Sequence, residues 1–193
     1  MPKKKIYTIV IIILVIIALG AIWYILYGGS SSNNPTDANS YSPTKVSNSS
    51  KDIASYIQND SSLSNFYKLL TNASLVDQLK TASSGTTLLV IVPNNMAFKT
   101  LPSSYSDQLL TGQNQTAATD ITKYHMATVS IDTKNIPDNT KIKTNEGQEI
   151  IANLQGSKPI FTDAKGDQAN VVKGPIVASN GTIYIVDAVL LPQ

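Results

Sequence analysis

The sequence predicts an α+β domain whose helices come early and whose antiparallel hairpins come late, preceded by one transmembrane helix. Three observations predict it. Residues 6–27 form an apolar run behind three lysines. From Asp52 to His125 apolar residues recur mostly at helical spacing. Beyond His125 the period falls to two, and turn residues separate the runs.

Lys3, Lys4 and Lys5 precede Ile6–Tyr27, a run relieved only by Thr8 and Gly20. As a helix it spans about 33 Å, enough for a hydrocarbon core of about 30 Å. Tyr7 at one end, and Trp23, Tyr24 and Tyr27 at the other, suit the membrane interface. Positive charge stands ahead of the run and none follows until Lys45, which places residues 1–5 in the cytoplasm and the rest outside. The rival reading is a cleaved signal peptide. Its apolar core is shorter, about 7–15 residues, and cutting after Ala18-Leu19-Gly20 would leave Ile22–Leu26 exposed. An uncleaved, single-pass signal anchor fits better. Residues 28–51, rich in Ser and Asn, bury too little to fold and read as a flexible tether of about 27 Å.

The domain itself is expected over residues 52–193. Ile53, Tyr56 and Ile57 open a helix. Leu63, Phe66, Tyr67 and Leu70 then mark one face of the next, with Ser61 or Ser62 as cap. Ser74 to Asp77 has the form of a capping box opening a short helix with Leu75 and Leu79, and Gly85 breaks the chain. Leu88–Val92 reads as a strand covered on both faces. Pro93 ends it, and Asn95 is placed to cap a turn containing Met96, Ala97 and Phe98. Ser104 with Asp107 suggests another cap, and Gly112 the end of that helix. Ala117, Ala118, Ile121, Tyr124 and His125 share a helical face. After it the period is two, with His125, Ala127, Val129 and Ile131 pointing one way and Met126, Thr128, Ser130 and Asp132 the other. Asn145-Glu146-Gly147, Asp163–Gly166 and Asn180-Gly181 mark the hairpin turns that follow. Ile150, Ala152 and Leu154 share one side of their strand.

Composition excludes several functions. Without cysteine there is no disulfide or thiolate site, and a single histidine is a poor basis for structural zinc. Twelve lysines face thirteen acids after Gly29, and arginine is absent, so the body carries about −1 and lacks the clustered charge nucleic acid needs. No Gly-x-Ser-x-Gly elbow, phosphate loop or calcium-loop spacing occurs, so no catalytic or metal residue is assigned. Asp163, Lys165 and Asp167 read as a solvated turn. Asn-x-Ser/Thr triplets at Asn48, Asn59, Asn72, Asn114 and Asn180 are glycan acceptors only if the host glycosylates exported proteins.

Three pieces in this order resemble the fasciclin (FAS1) domain family. TLLVIVPNNMAFKTLP is similar to its first signature, Tyr124-His125 before a strand to its central Tyr-His motif, and NGTIYIVDAVLLP to its terminal signature. The resemblance implies a β-wedge or sandwich with N-terminal helices packed on it, and a non-catalytic role in adhesion or cell-surface contact, without a cofactor. It marks Pro93, Asn95, Phe98, Asn180, Gly181 and Asp187 as structural positions, and Tyr124 and His125 as candidates for partner binding. Against the latter, the phase of His125 turns its ring inward, neutral and hydrogen-bonded. Asp187, inside IYIVDAVLL, is expected to be a buried carboxylate served by backbone amides or by Asn94 and Asn95. Animal members that bind integrins carry an acidic stretch before the final hairpin. Lys173-Gly174-Pro175-Ile176 stands there instead, so that route is not expected. The partner expected is a surface or matrix protein or polysaccharide. An envelope-polymer enzyme and a scaffold or sensor module are the alternatives.

Overall fold

The computed structural model describes residues 51–80 and 87–193. The anchor expected at 6–27, the tether at 28–51 apart from Lys51, the break at Gly85 and the triplet at Asn48 lie outside them. Among the described residues no helix is long and apolar enough to cross a membrane.

The helices are α1 (Ile53–Asn59), α2 (Ser64–Asn72), α3 (Ser103–Thr111) and α4 (Gln115–Tyr124). The strands are β1 (Thr87–Pro93), β2 (Met126–Val129), β3 (Thr140–Lys143), β4 (Glu149–Gln155), β5 (Lys158–Thr162), β6 (Gln168–Ala178) and β7 (Gly181–Val186). They form one sheet in the order β2-β1-β7-β6-β5-β4-β3. The α+β class of the sequence is found, with one pairing that turn signals do not reveal. β1 runs parallel to β7, Leu88 opposite Gly181 and Val92 opposite Ile185, and antiparallel to β2.

β1 is apolar without alternation because both its faces are covered. Leu88, Val90 and Val92 join a core with Ile53, Phe66, Leu70 and Ile121 from the helices. Leu89 and Ile91 face a second core with Ile142, Ile150, Phe161 and Val171 from β3 to β6. β7 does the same, Ile183 and Ile185 toward the helices, Tyr184 and Val186 toward the other side. The sheet therefore curls over itself. Its two outer strands meet where Asn145 N–H donates to the Met126 carbonyl at 2.7 Å and Thr128 N–H to Asn145 Oδ1 at 3.2 Å. The bend lies in β6, which pairs with β5 at its start and with β7 later, with register shifts around Lys173. Gly174 sits there at φ +142°, before a cis peptide to Pro175, and a Cβ on it would lie 2.9 Å from the Tyr184 ring.

Several local expectations need correction. Asp60, not Ser61 or Ser62, caps the 3₁₀ turn Ser61–Leu63 that leads into α2. Ser74 adopts φ +57° and caps nothing; Val76–Leu79 is a 3₁₀ turn without a side-chain cap. α3 follows Pro102 with no side-chain cap, although Gly112 ends it in the left-handed conformation as expected. The alternation after His125 stops at Val129, because β2 ends there; Ile131 is 38% exposed, as is Leu154 at 40%.

Candidate functional site

Asn114 caps α4 by accepting from Ala117 N–H, and the helix delivers Tyr124 and His125 to its junction with β2. Both side chains are buried. Tyr124 faces the sheet-side core, and its hydroxyl donates to the Glu149 carbonyl at 3.0 Å and accepts from Ala164 N–H at 2.9 Å. Burial, only partly offset by the Ala164 amide, pushes its pKa up to about 12.

His125 is 1% exposed, its ring 5.7 Å from that of Phe66. Nε2 accepts from Leu190 N–H at 3.2 Å, so the proton sits on Nδ1, which donates to the Ile121 carbonyl at 2.8 Å. Burial drives the imidazole pKa down to about 4, against the smaller pull of the Ile121 carbonyl and of Asp163. The ring is neutral and fully occupied. A partner touching the surface would therefore meet neither expected binding side chain. Their polar atoms serve the interior.

The turn is solvated at Lys165 and Asp167, as expected, but Asp163 is buried, being 5% exposed. One carboxylate oxygen accepts from Lys165 and Asp167 N–H, both at 2.9 Å, and the other from Leu191 N–H at 3.0 Å. The Asp-x-x-Gly turn hints at the local pair. The bond to Leu191, 28 residues on, leaves no mark in the sequence. Gln148 likewise takes Gln193 N–H at 3.0 Å.

Asp187 exchanges roles with Asp163. It lies just past β7, partly exposed, and its donors are Asn170 N–H at 2.8 Å and Asn170 Nδ2 at 3.0 Å, not Asn94 or Asn95. At the β1 exit Pro93 completes the strand and Phe98 is buried against the helices. The cap of Ala97 is Asn94 Oδ1 at 2.9 Å, while Asn95 turns back to α2. Asn180 clasps α1 to the β6–β7 turn: its Oδ1 accepts from Ile53 N–H at 3.0 Å and its Nδ2 donates to the Leu79 carbonyl at 2.6 Å. Gly181 is required beside it, since a Cβ would lie 2.1 Å from the Leu88 carbonyl oxygen. Among the described residues no group of His, Cys, Asp and Glu is arranged to hold a metal ion.

The family model of the fasciclin domain matches residues 61–192. Immunogenic protein MPB70 of Mycobacterium bovis is 30% identical over 161 residues, covering 80% of this chain and 77% of that protein. Protein sll1483 of Synechocystis is 28% identical over 131 residues, 66% of this chain and 67% of that one. A FAS1 domain pair from the insect cell adhesion molecule fasciclin I superposes with a TM-score of 0.64 at 16% identity, covering 73% of this chain and about half, 51%, of that one. That last likeness speaks to fold alone.

Proposed function

The chain belongs to the fasciclin domain family, and on that premise we propose that its domain is a non-catalytic adhesion module. A single N-terminal span holds it outside the cell membrane, where it contacts surface or matrix proteins or polysaccharides. The observation that carries this reading is the commitment of Tyr124, His125 and Asp163 to backbone groups in the interior. Of these, His125 is the side chain a catalytic reading would call on, and both its ring nitrogens are occupied. Surface recesses of about 410 and 310 Å³ offer mainly hydroxyl, amide and charged groups, among them Asp132, Lys134 and Ser179 in one and Asn59, Asp60 and Ser61 in the other. Such surfaces support contact by shape and hydrogen bonding, weak per copy and strengthened by many copies on one membrane.

The test is retention of vesicles carrying the full chain at graded density on cells and envelope polymer from the same source. Retention should climb more steeply than density does. None at any density overturns the reading. Protease added to intact cells should cut the domain, and full protection would overturn its placement outside.

A further inference from the structure

Residues 188–193 leave the sheet after β7 and lie between the two cores. Val189 and Leu191 pack toward the helices and Leu190 toward the sheet-side core. Three of their amides are held by side chains from three distant segments: Leu190 by His125, Leu191 by Asp163, Gln193 by Gln148. β1 and β7, by contrast, hold each other through a main-chain ladder.

We propose that residues 188–193 form an acid-releasable strap: a proton taken up at His125 Nε2 removes the acceptor of Leu190 and frees the segment while β1 and β7 stay paired. The geometry leaves the proton no other place. Nδ1 already carries one and gives it to Ile121, so an imidazolium would point its second N–H at the Leu190 N–H. The ring is sealed from water while the strap is seated. Asp163, in the β5–β6 turn, is the charged group whose field reaches the ring, and it favours the charged form only modestly. α2 presents the Phe66 ring, α4 the Ile121 carbonyl and the strap an amide, none of them titratable. The neighbouring Tyr124 hydroxyl is turned to Ala164 and Glu149.

With the strap seated the imidazole pKa is about 4, and lifting the strap wets the ring and moves it back toward its ordinary value of 6.5. A depressed histidine pKa means closure is full above 6.5 and lost as pH falls toward 4. At about pH 5 release is favoured about twenty-fold more than at about pH 7. This device is a property of the chain and does not depend on the adhesive reading.

Hydrogen exchange of the full chain in lipid nanodiscs tests it, each amide referred to the unfolded chain at the same pH. Between about pH 7.5 and about pH 5 the strap amides should lose about thirty-fold in protection while β1 and β7 lose little. His125→Gln, whose side-chain carbonyl accepts without titrating, should abolish the dependence. Should that variant fail to fold, the imidazole resonances of the unmodified chain serve instead, and strap opening should follow their titration. Strap and sheet losing protection together, a strap protected alike down to about pH 4, or ring titration without strap opening would each overturn the proposal.

Discussion

Asn95 caps a helix that begins about thirty residues before it. Its Oδ1 accepts from Asn65 N–H at 2.9 Å and its Nδ2 donates to the Ser61 carbonyl at 2.9 Å, tying the β1 exit to the start of α2. Asn95→Ala should cost about 1–2 kcal/mol. Exchange should quicken at the first turn of α2 and not at Ala97, which depends on Asn94. Asn94→Ala should show the reverse pattern, checked in the same exchange experiment.

Gly181→Ala should be among the most damaging single changes, upward of about 4 kcal/mol. The added methyl meets the main chain of Leu88, its carbonyl oxygen at 2.1 Å and carbonyl carbon at 2.9 Å, so β1 itself would have to move. Ile53 Cδ1, at 2.8 Å, is a side-chain tip that adds less. Urea denaturation of the variant measures it, and a loss under about 1 kcal/mol would contradict the close approach.

Acid should weaken the fold through His125. Its folded pKa of about 4 lies below the ordinary 6.5, so the stabilising contribution is complete above 6.5 and disappears as pH falls toward 4. The loss reaches up to about 3 kcal/mol, less where strap release relieves the ring. Thermal unfolding followed across that range should show it, and His125→Gln should flatten the dependence.

Asp163 and Asp187 should respond very differently to the same change. Asp163→Asn turns an amide N–H₂ toward backbone N–H donors in a buried site and should cost about 2–3 kcal/mol. Asp187→Asn, at a partly exposed position served by Asn170, should cost under about 1 kcal/mol. Melting temperatures of the two variants decide it.

What was legible in the sequence was what period and turn chemistry encode. The unbroken Leu88–Val92 run announced a strand with two covered faces, and Asn180-Gly181 announced its hairpin. The inward set of His125 is as expected, but not for the strand phase that suggested it. His125 ends α4 before β2 begins, and its ring lies beside Phe66 while Ala127 and Val129 join the opposite core. What stayed hidden was every bond whose partners are distant in the chain. Asn94 and Asn95 are indistinguishable as caps until α2 is known to lie beside the corner. Asp187 looked buried because its neighbours are apolar, yet β7 ends one residue before it. Asp163 reads as exposed because it opens a polar turn, and the donor that the return of residues 188–193 brings to it, Leu191 N–H, is remote in the chain.

The parallel pairing of Leu88–Pro93 with Gly181–Val186 also bears on synthesis. A ribosome or export channel delivering the chain from its N-terminus releases β1 roughly ninety residues before its parallel neighbour exists. Throughout that interval one edge of the most apolar strand has nothing to pair with. The nascent domain is then most open to proteases and self-association, and a message truncated within the last hairpin would make a product that never leaves that state.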